Sequence, residues 1–283
     1  MTTTVKSSRR SPQKRAFQTG LVVYLWLMTF VILFPVLFGL LGAFQTPAAL
    51  SQGVVGFLTN PPTFDNFARA FRAAPLFDQL INTVIVTIAE TVLVLVTSIL
   101  FAYALVFSKM RGKTWLFIFV MITLMIPAEG IIVANYLTIT QMGLFDTIVA
   151  IFLPMIASGT AIFLFRQAFL TFPRQIHESA TLDGVGPLRF MWSFLIPLNL
   201  PTVFAVTVTT AIGAWNNYMW PLLITKSPEN RTVQVGLTQL ADESATDTGA
   251  VLAGLFVVTI PMILLVLSSR KFLAKGLTQG SEK

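Results

Sequence analysis

Apolar residues in this chain fall into six long runs that are separated by shorter polar segments. The runs cover approximately residues 21–44, 80–107, 115–136, 148–170, 194–224 and 250–267. Each is long enough to cross the hydrocarbon core of a bilayer as a helix, which takes about 20 apolar residues. The pattern therefore predicts an all-α integral membrane protein with six transmembrane helices.

Composition agrees with this prediction. Of the 283 residues, 55% are hydrophobic and 11% are charged, whereas soluble domains carry roughly 25% charged residues. The chain has no cysteine, which excludes a disulfide framework and a cysteine-based metal or redox site. Its single histidine, His177, leaves too few ligands for a typical zinc site.

The basic residues predict how the six helices are oriented. Fifteen of the 19 lie before the first run, between the second and third, around the join of the fourth and fifth, or after the sixth. They are Lys6, Arg9, Arg10, Lys14, Arg15, Lys109, Arg111, Lys113, Arg166, Arg174, Arg189, Arg270, Lys271, Lys275 and Lys283. The positive-inside rule then places both termini in the cytoplasm. Topology accounts for the net charge of +7, so we expect no nucleic-acid partner.

Three parts follow from this topology. They are a basic cytoplasmic tail over residues 1–20, a six-helix transmembrane domain over 21–270 and a cytoplasmic tail over 271–283. Most acidic residues outside the tails, including Asp146, fall on the opposite side of the membrane.

The segment PRQIHESATLDGVGPLRF, residues 173–190, is an unusually polar cytoplasmic connection. Pro173 suits the start of a helix and Gly184 the residue just past its end. Gly186-Pro187 then restarts the chain as a second short helix, and Pro197 and Pro201 are expected to bend the fifth span. Small residues on the first helix would let a partner approach its backbone closely, so we expect a docking surface; an inert linker is the alternative.

A family resemblance rests on this segment and on five further stretches. The order Glu178-Ser179-Ala180, Asp183-Gly184, Ile196-Pro197 resembles the "EAA…G…I.LP" motif of permease subunits of bacterial ABC importers, with Ser179 where alanine is usual. The other stretches resemble the maltose-type carbohydrate branch, which includes glycerol-3-phosphate permeases. They are ITLMIPAEG (122–130), ASGTAIFLFRQAF (157–169), AWNNYMWPLLIT (214–225), TVQVGLTQL (232–240) and KGLTQG (275–280).

The resemblance implies a maltose-type importer permease fold and a set of partners. These are a second, homologous permease subunit, two ATP-binding-cassette ATPase subunits and an extracytoplasmic solute-binding protein. Residues 171–192 would be the coupling segment, with its ATPase contact formed by Glu178, Ser179, Ala180, Asp183 and Gly184, and with His177 beside them. The outer loop 225–248 resembles the one that reaches the binding protein, and the tail from Lys275 the one that contacts the ATPases.

The sequence contains no G-x-x-x-x-G-K-[ST] phosphate loop, so ATP cannot be held in the way that this motif holds it. We therefore expect a non-catalytic subunit that binds no cofactor, with ATP and Mg²⁺ used by the partner ATPases.

Polar residues inside the apolar runs have two interpretations. Thr83, Thr87, Glu90 and Thr91 recur at helical spacing in the second run, and Trp215, Asn216 and Asn217 lie near the outer end of the fifth. They would either line the translocation pathway or hold helices together by hydrogen bonds. For Trp215 an interfacial anchor is the alternative. Thr207, Thr209 and Thr210 would either line the pathway or pack against the second permease subunit that the resemblance implies.

Three functions remain in competition at this stage. An ATP-driven importer subunit for a sugar, sugar-like or glycerophosphate solute is favoured. An ion-coupled secondary carrier would need ion sites in the membrane, where only Glu90 and Glu129 are acidic. A membrane enzyme would need a nucleophile with a base or a metal-ligand cluster, and neither is visible. The transported solute stays open.

Overall fold

The computed structural model describes residues 12–243 and 247–278, and every regular element in these ranges is a helix. In chain order the α-helices are α1 (Pro12–Gly42), α2 (Pro47–Ser51), α3 (Val54–Thr59), α4 (Asp65–Ala73), α5 (Leu76–Phe107), α6 (Lys113–Thr123), α7 (Ala128–Gln141), α8 (Ile148–Phe152), α9 (Gly159–Leu170), α10 (Arg174–Leu182), α11 (Pro187–Phe190), α12 (Ile196–Leu198), α13 (Leu200–Asn216), α14 (Met219–Ile224), α15 (Val233–Glu243) and α16 (Thr248–Thr278). Short 3₁₀ turns cover Leu153–Met155 and Pro228–Asn230, and a π-helical turn covers Met191–Leu195. Lys6, Arg9, Arg10 and Lys283 lie outside the described residues, as do the ends of both predicted tails.

Three helices are long and apolar enough to cross a membrane unbroken. They run over Gln18–Gly42, Leu76–Phe107 and Thr248–Ser268. Two further spans are each a pair of helices, bent by 47° between Met155 and Gly159 and by 84° between Leu198 and Leu200. The described residues thus contain three to five spans by length and composition, and the six-span prediction stays a prediction.

The third predicted run is two helices rather than one. Helix α6 ends at Thr123, and a turn leads to Pro127, whose extended backbone (φ −63°, ψ 140°) precedes α7. A proline disfavours helical geometry in the residue before it, which is Ile126. Apolarity continues across this break, so hydropathy alone did not reveal it.

The bend predicted in the fifth span is confirmed. It falls at Asn199, between Pro197 and Pro201. Pro201 has no N–H to donate, and its ring would clash with the carbonyl of Pro197 in a continuous helix.

The centre of the bundle is helix α5, which packs against α9 and α13, while α16 packs against α13, α4 and α1. Lipid tails are as apolar as leucine, so close packing and hydrogen bonds hold such helices together rather than a hydrophobic force. The α1–α16 contact shows this close approach. A Cβ added at Gly42 would lie 2.6 Å from the side chain of Leu252.

Asp146 joins two segments that are about eighty residues apart in sequence. Its backbone N–H donates to the Ile224 carbonyl at 2.9 Å. Its carboxylate accepts from the backbone N–H groups of Lys226 and Ser227 at 2.8 and 3.0 Å and from the Ser227 hydroxyl, and Asn230 donates to its carbonyl at 2.7 Å. The turn before α8 is thereby fixed to the segment that follows α14.

The start of α5 reaches the same place. Gln79 donates to the Pro228 carbonyl at 3.1 Å, and Asn82 donates to the carbonyls of Glu229 and Arg231. We call this region, formed by Gln79, Asn82, Asp146 and residues 225–231, the Asp146 end of the bundle.

The other end of the bundle is an aromatic cluster. The His177 ring lies 4.9 Å from that of Phe107 and 4.8 Å from that of Phe190, centroid to centroid. Phe172 packs at 6.2 and 5.7 Å from the same two rings. The ends of α5 and α9 therefore meet α10 and α11 here, and we call these four residues the His177 end.

Candidate functional site

Helix α10 is bounded by local signals on both sides, as its sequence predicted. Pro173 precedes its first turn in an extended conformation, and Gly184 follows its C-cap with φ +75°. The Gly184 N–H donates to the Thr181 carbonyl at 3.1 Å and the Val185 N–H to the Ala180 carbonyl at 2.9 Å. This pair of bonds is the Schellman motif, which requires a left-handed residue at Gly184.

The inner face of α10 is anchored in the chain's own core. His177 stacks in the His177 end, and Ala180 is 5% exposed among residues of the largest buried cluster. The small side chain of Ala180 lets α10 lie close to the bundle, and it lines a recess together with Ser179 and Asp183. Its contact with a partner stays a prediction.

The outer face of α10 is exposed in the described part of the chain. Glu178, Ser179, Asp183 and Gly184 are exposed, and Ser179 and Asp183 line a recess of about 290 Å³. Leu182 at the tip is 88% exposed. Sequence reasoning missed this leucine, although an apolar residue between Thr181 and Asp183 in a solvent-side helix is a visible signal.

A second candidate site is a cavity of about 360 Å³ between α5, α9 and α13. Its polar lining comes from one carboxyl group and four hydroxyl groups, those of Glu90, Ser158, Thr160, Thr209 and Thr210. The cavity lies beside the break that precedes α9. The Thr97 hydroxyl, which bonds to the Ile156 carbonyl at 2.7 Å, satisfies a backbone group that the break releases. Broken helices at membrane depth are tolerated where they are buried in protein or line a cavity.

The polar residues of α5 do not share one environment. Glu90 lines the cavity, whereas Thr83 is fully buried, donates to the Gln79 carbonyl at 2.7 Å and accepts from the Val233 N–H at 2.8 Å. Thr87 and Thr91 are buried and do not line this cavity. Thr83 thus links α5 to the start of α15 by hydrogen bonds.

The candidates at the end of α13 are likewise separate from this cavity. Trp215 is 5% exposed, Asn217 is half-buried, and the exposed Asn216 accepts a long hydrogen bond of 3.4 Å from Gln234. Their role in a pathway stays a prediction. Of the cavity's hydroxyl groups, sequence reasoning singled out Thr209 and Thr210. It missed Ser158, which lies in the unrecognised break, and Thr160, which lies in the first turn of α9.

The segment over residues 225–243 is held tightly at the Asp146 end. A Cβ added at Gly236 would lie 1.7 Å from Oε1 of Gln79, so α15 and α5 are in close contact. Burial opposes ionisation of Asp146, but the hydrogen bonds from Ser227 and Lys226 outweigh it and lower the pKa of Asp146 to about 2. The carboxylate is therefore charged throughout the physiological pH range.

Comparison with known proteins gives one family. Residues 7–279 match the family described as "Binding-protein-dependent transport system inner membrane component". The sn-glycerol-3-phosphate transport system permease protein UgpE of Brucella suis is 31% identical over 258 residues, covering 88% of this chain and 92% of that protein. The arabinooligosaccharides transport system permease protein AraQ of Bacillus subtilis is 28% identical, covering 97% and 99%.

A solved structure shares the fold. It is a chain of a bacterial ABC transporter involved in the import of the acidic polysaccharide alginate, with a TM-score of 0.83 and 24% identity. The alignment covers 94% of this chain and 99% of the other. A chain of the bacterial alginate transporter in complex with a pentasaccharide-bound periplasmic protein gives a TM-score of 0.62 at 14% identity.

Proposed function

This chain belongs to the family of binding-protein-dependent transport system inner membrane components, and from that premise we propose that it forms half of the translocation pathway of an ATP-driven importer. Relatives are named for glycerol-3-phosphate and for arabinooligosaccharides. The proposed cargo class is accordingly a sugar, a sugar-like molecule or a glycerophosphate. The same relatives, being named permeases of transport systems, do not favour an ion-coupled secondary carrier.

We propose that the chain crosses the membrane six times, and the contacts at the two ends of the bundle support this number. Helix α5 runs from the Asp146 end to the His177 end. The pair α6 and α7 returns to Asp146, α8 and α9 lead back to Phe172, and α13 with α14 reaches Ile224 beside Asp146. With α1 and α16 this makes six passages, and it supports both termini being at the cytoplasmic side.

The exposed face of α10 is the proposed contact with an ATPase subunit, and it is the observation that carries the proposal. Glu178, Ser179 and Asp183 supply polar groups around the exposed Leu182, while His177 and Ala180 fix the helix to the bundle. A helix that is rigid on one side and unpartnered on the other can transmit motion from a partner to the spans. ATP and Mg²⁺ would be used by the two ATPase subunits, and this chain would not be an enzyme.

The remaining partners occupy other surfaces in this proposal. A second, homologous permease subunit completes the pathway, and an extracytoplasmic binding protein delivers the solute to the segment 225–243. The related alginate transporter has been solved in complex with a periplasmic protein, which supports a partner of this kind. Residues 279–283 of the predicted ATPase-contacting tail lie outside the described part of the chain.

A photo-crosslinking experiment tests the ATPase contact without requiring the solute to be known. A benzophenone amino acid replaces Leu182 in the full-length chain, which is expressed in the membranes of its native host. Irradiation is expected to link position 182 to a protein that contains a P-loop. The matched control replaces Leu264, which is 61% exposed in the membrane-spanning part of α16. The proposal is refuted if position 182 gives no ATPase adduct in membranes in which the transporter is assembled.

A further inference from the structure

The membrane-level cavity is rich in hydrogen-bond acceptors. Glu90 contributes a carboxyl group that has no hydrogen bond or ion pair within the described residues. The Ser158 hydroxyl accepts from the Ala161 N–H at 3.2 Å, and the Thr209 hydroxyl donates to the Ala205 carbonyl at 2.9 Å. The O–H group of Thr209 is therefore already engaged as a donor. The Glu90 carboxyl group, by contrast, has acceptor oxygens without a partner in the described residues.

The lining also lacks positive charge. None of the described residues that line the cavity is lysine, arginine or histidine. An anionic group that moved into this cavity would lose hydration without gaining an ion pair from the described residues of this chain, and it would face the Glu90 carboxyl. Burying a charge without a partner is strongly unfavourable.

A polyhydroxylated solute has the complementary chemistry. Each hydroxyl carries one O–H donor, and a carboxyl group offers acceptor oxygens whether it is ionised or protonated. The rest of the lining, including Val94, Leu164 and Val206, is apolar and suits the C–H faces of a sugar ring. Gly213 adds no side chain, so the backbone of α13 is accessible there.

We propose that this cavity takes an uncharged polyhydroxylated solute, a neutral sugar, and that Glu90 accepts hydrogen bonds from its hydroxyl groups. The inference rests on the proposed function and narrows its cargo class. It separates this chain from relatives whose names specify anionic cargo, glycerol-3-phosphate and the acidic polysaccharide alginate.

The test is uptake by the intact importer, purified with its partners and its binding protein and placed in proteoliposomes that contain ATP. The vesicles are offered one mixture of neutral mono- and oligosaccharides, sn-glycerol-3-phosphate and uronate oligosaccharides, and the accumulated compounds are identified by mass spectrometry. The same measurement is made for Glu90→Ala and Glu90→Gln. Glu129→Gln serves as the control, since Glu129 is exposed and does not line the cavity.

Accumulation of a neutral sugar, reduced about tenfold or more by Glu90→Ala and unchanged by Glu129→Gln, supports the inference. The inference is overturned if only an anionic compound accumulates, or if a neutral sugar accumulates equally well with Glu90→Ala. Either result leaves the proposed importer function intact. Absence of ATP-dependent accumulation of any compound by vesicles of verified assembly would instead refute the proposed function, and this inference with it.

Discussion

Asp146 adopts a backbone conformation with φ 60°, which few residues other than glycine and asparagine or aspartate adopt. Its carboxylate accepts hydrogen bonds from the backbone N–H groups of Lys226 and Ser227. These bonds to a charged group offset the cost of the unusual backbone conformation. The sequence predicted only that Asp146 lies outside the membrane. Its partners lie about eighty residues away, and no local pattern indicates such a pairing.

Removal of the Asp146 carboxylate is expected to loosen the Asp146 end. Asp146→Ala should lower stability by about 2 kcal/mol, the cost of hydrogen bonds to a charged acceptor, and Asp146→Asn should cost less because asparagine tolerates the left-handed region. The melting temperature of the purified protein in detergent measures both. Asp242→Ala, at an exposed position of α15, should leave it unchanged, and equal melting temperatures for all three variants would contradict the assignment.

The pH dependence of this effect has a definite sign. The pKa of folded Asp146 is lowered from 3.8 to about 2, so the carboxylate stabilises the fold fully above its unfolded pKa. That contribution is lost as the pH falls from about 4 towards about 2. The difference in melting temperature between the wild type and Asp146→Ala should therefore be constant from pH 5 to 8 and shrink only in acid.

Polar residues of α5 show why a helical spacing is insufficient to assign a site. Thr83 and Glu90 are seven residues apart and project from the same face, but they are about 10 Å apart along the axis. At Thr83 the neighbour is the start of α15, whereas at Glu90 it is the cavity. The period predicts a shared direction, and the tertiary neighbours decide the role.

At the scale of helices, ends that depend on local chemistry and the bend in the fifth apolar run could be predicted, whereas the breaks inside the third and fourth runs could not. Pro173 and Gly184 bound α10 as expected, because capping involves only residues within one turn. The bend at Asn199 followed from two prolines. The break between Met155 and Gly159 contains Ile156, Ala157 and Ser158. Because the residues on both sides of it are apolar, the hydropathy pattern did not indicate it.

Two glycines at the end of α10 provide a matched pair for testing the importance of its geometry. A Cβ would meet no atom within 4 Å at Gly184 or at Gly186, but φ is +75° at Gly184 and −68° at Gly186. Gly184→Ala should therefore cost about 1–2 kcal/mol of backbone strain, whereas Gly186→Ala should introduce no such strain.

Transport measurements distinguish this strain from general misfolding. Strain released by unwinding the last turn of α10 would displace Asp183 and Leu182, so solute uptake by Gly184→Ala should fall several-fold while the complex still assembles. Gly186→Ala should transport normally. Equal uptake by the two variants would mean that the left-handed turn is irrelevant to coupling.

At the scale of the whole molecule, the sequence predicts the order of the helices along the chain but not which of them meet in space. The contacts at the two ends of the bundle supply this information. Gln79 and Asp146 both meet residues 225–231, although the predicted membrane runs separate all three. The positions of the basic residues and the contacts of the Asp146 end therefore both agree with the proposed topology of six passages. In this topology residues 113–141 make one passage together, because neither α6 nor α7 is long enough to span a membrane alone.

Single cysteines test that passage directly, since the chain has none of its own and a labelling reagent meets no background. Met142→Cys and Glu229→Cys, at exposed positions near the Asp146 end, should react with a membrane-impermeant maleimide in intact spheroplasts. Arg111→Cys and Ser179→Cys, also at exposed positions, should react only after the membrane is disrupted.

Because position 111 precedes α6 and position 142 follows α7, opposite accessibility at these two sites requires the two short helices to cross the bilayer together. Labelling of both sites from the same side would reduce the number of passages to five and place the termini on opposite sides of the membrane.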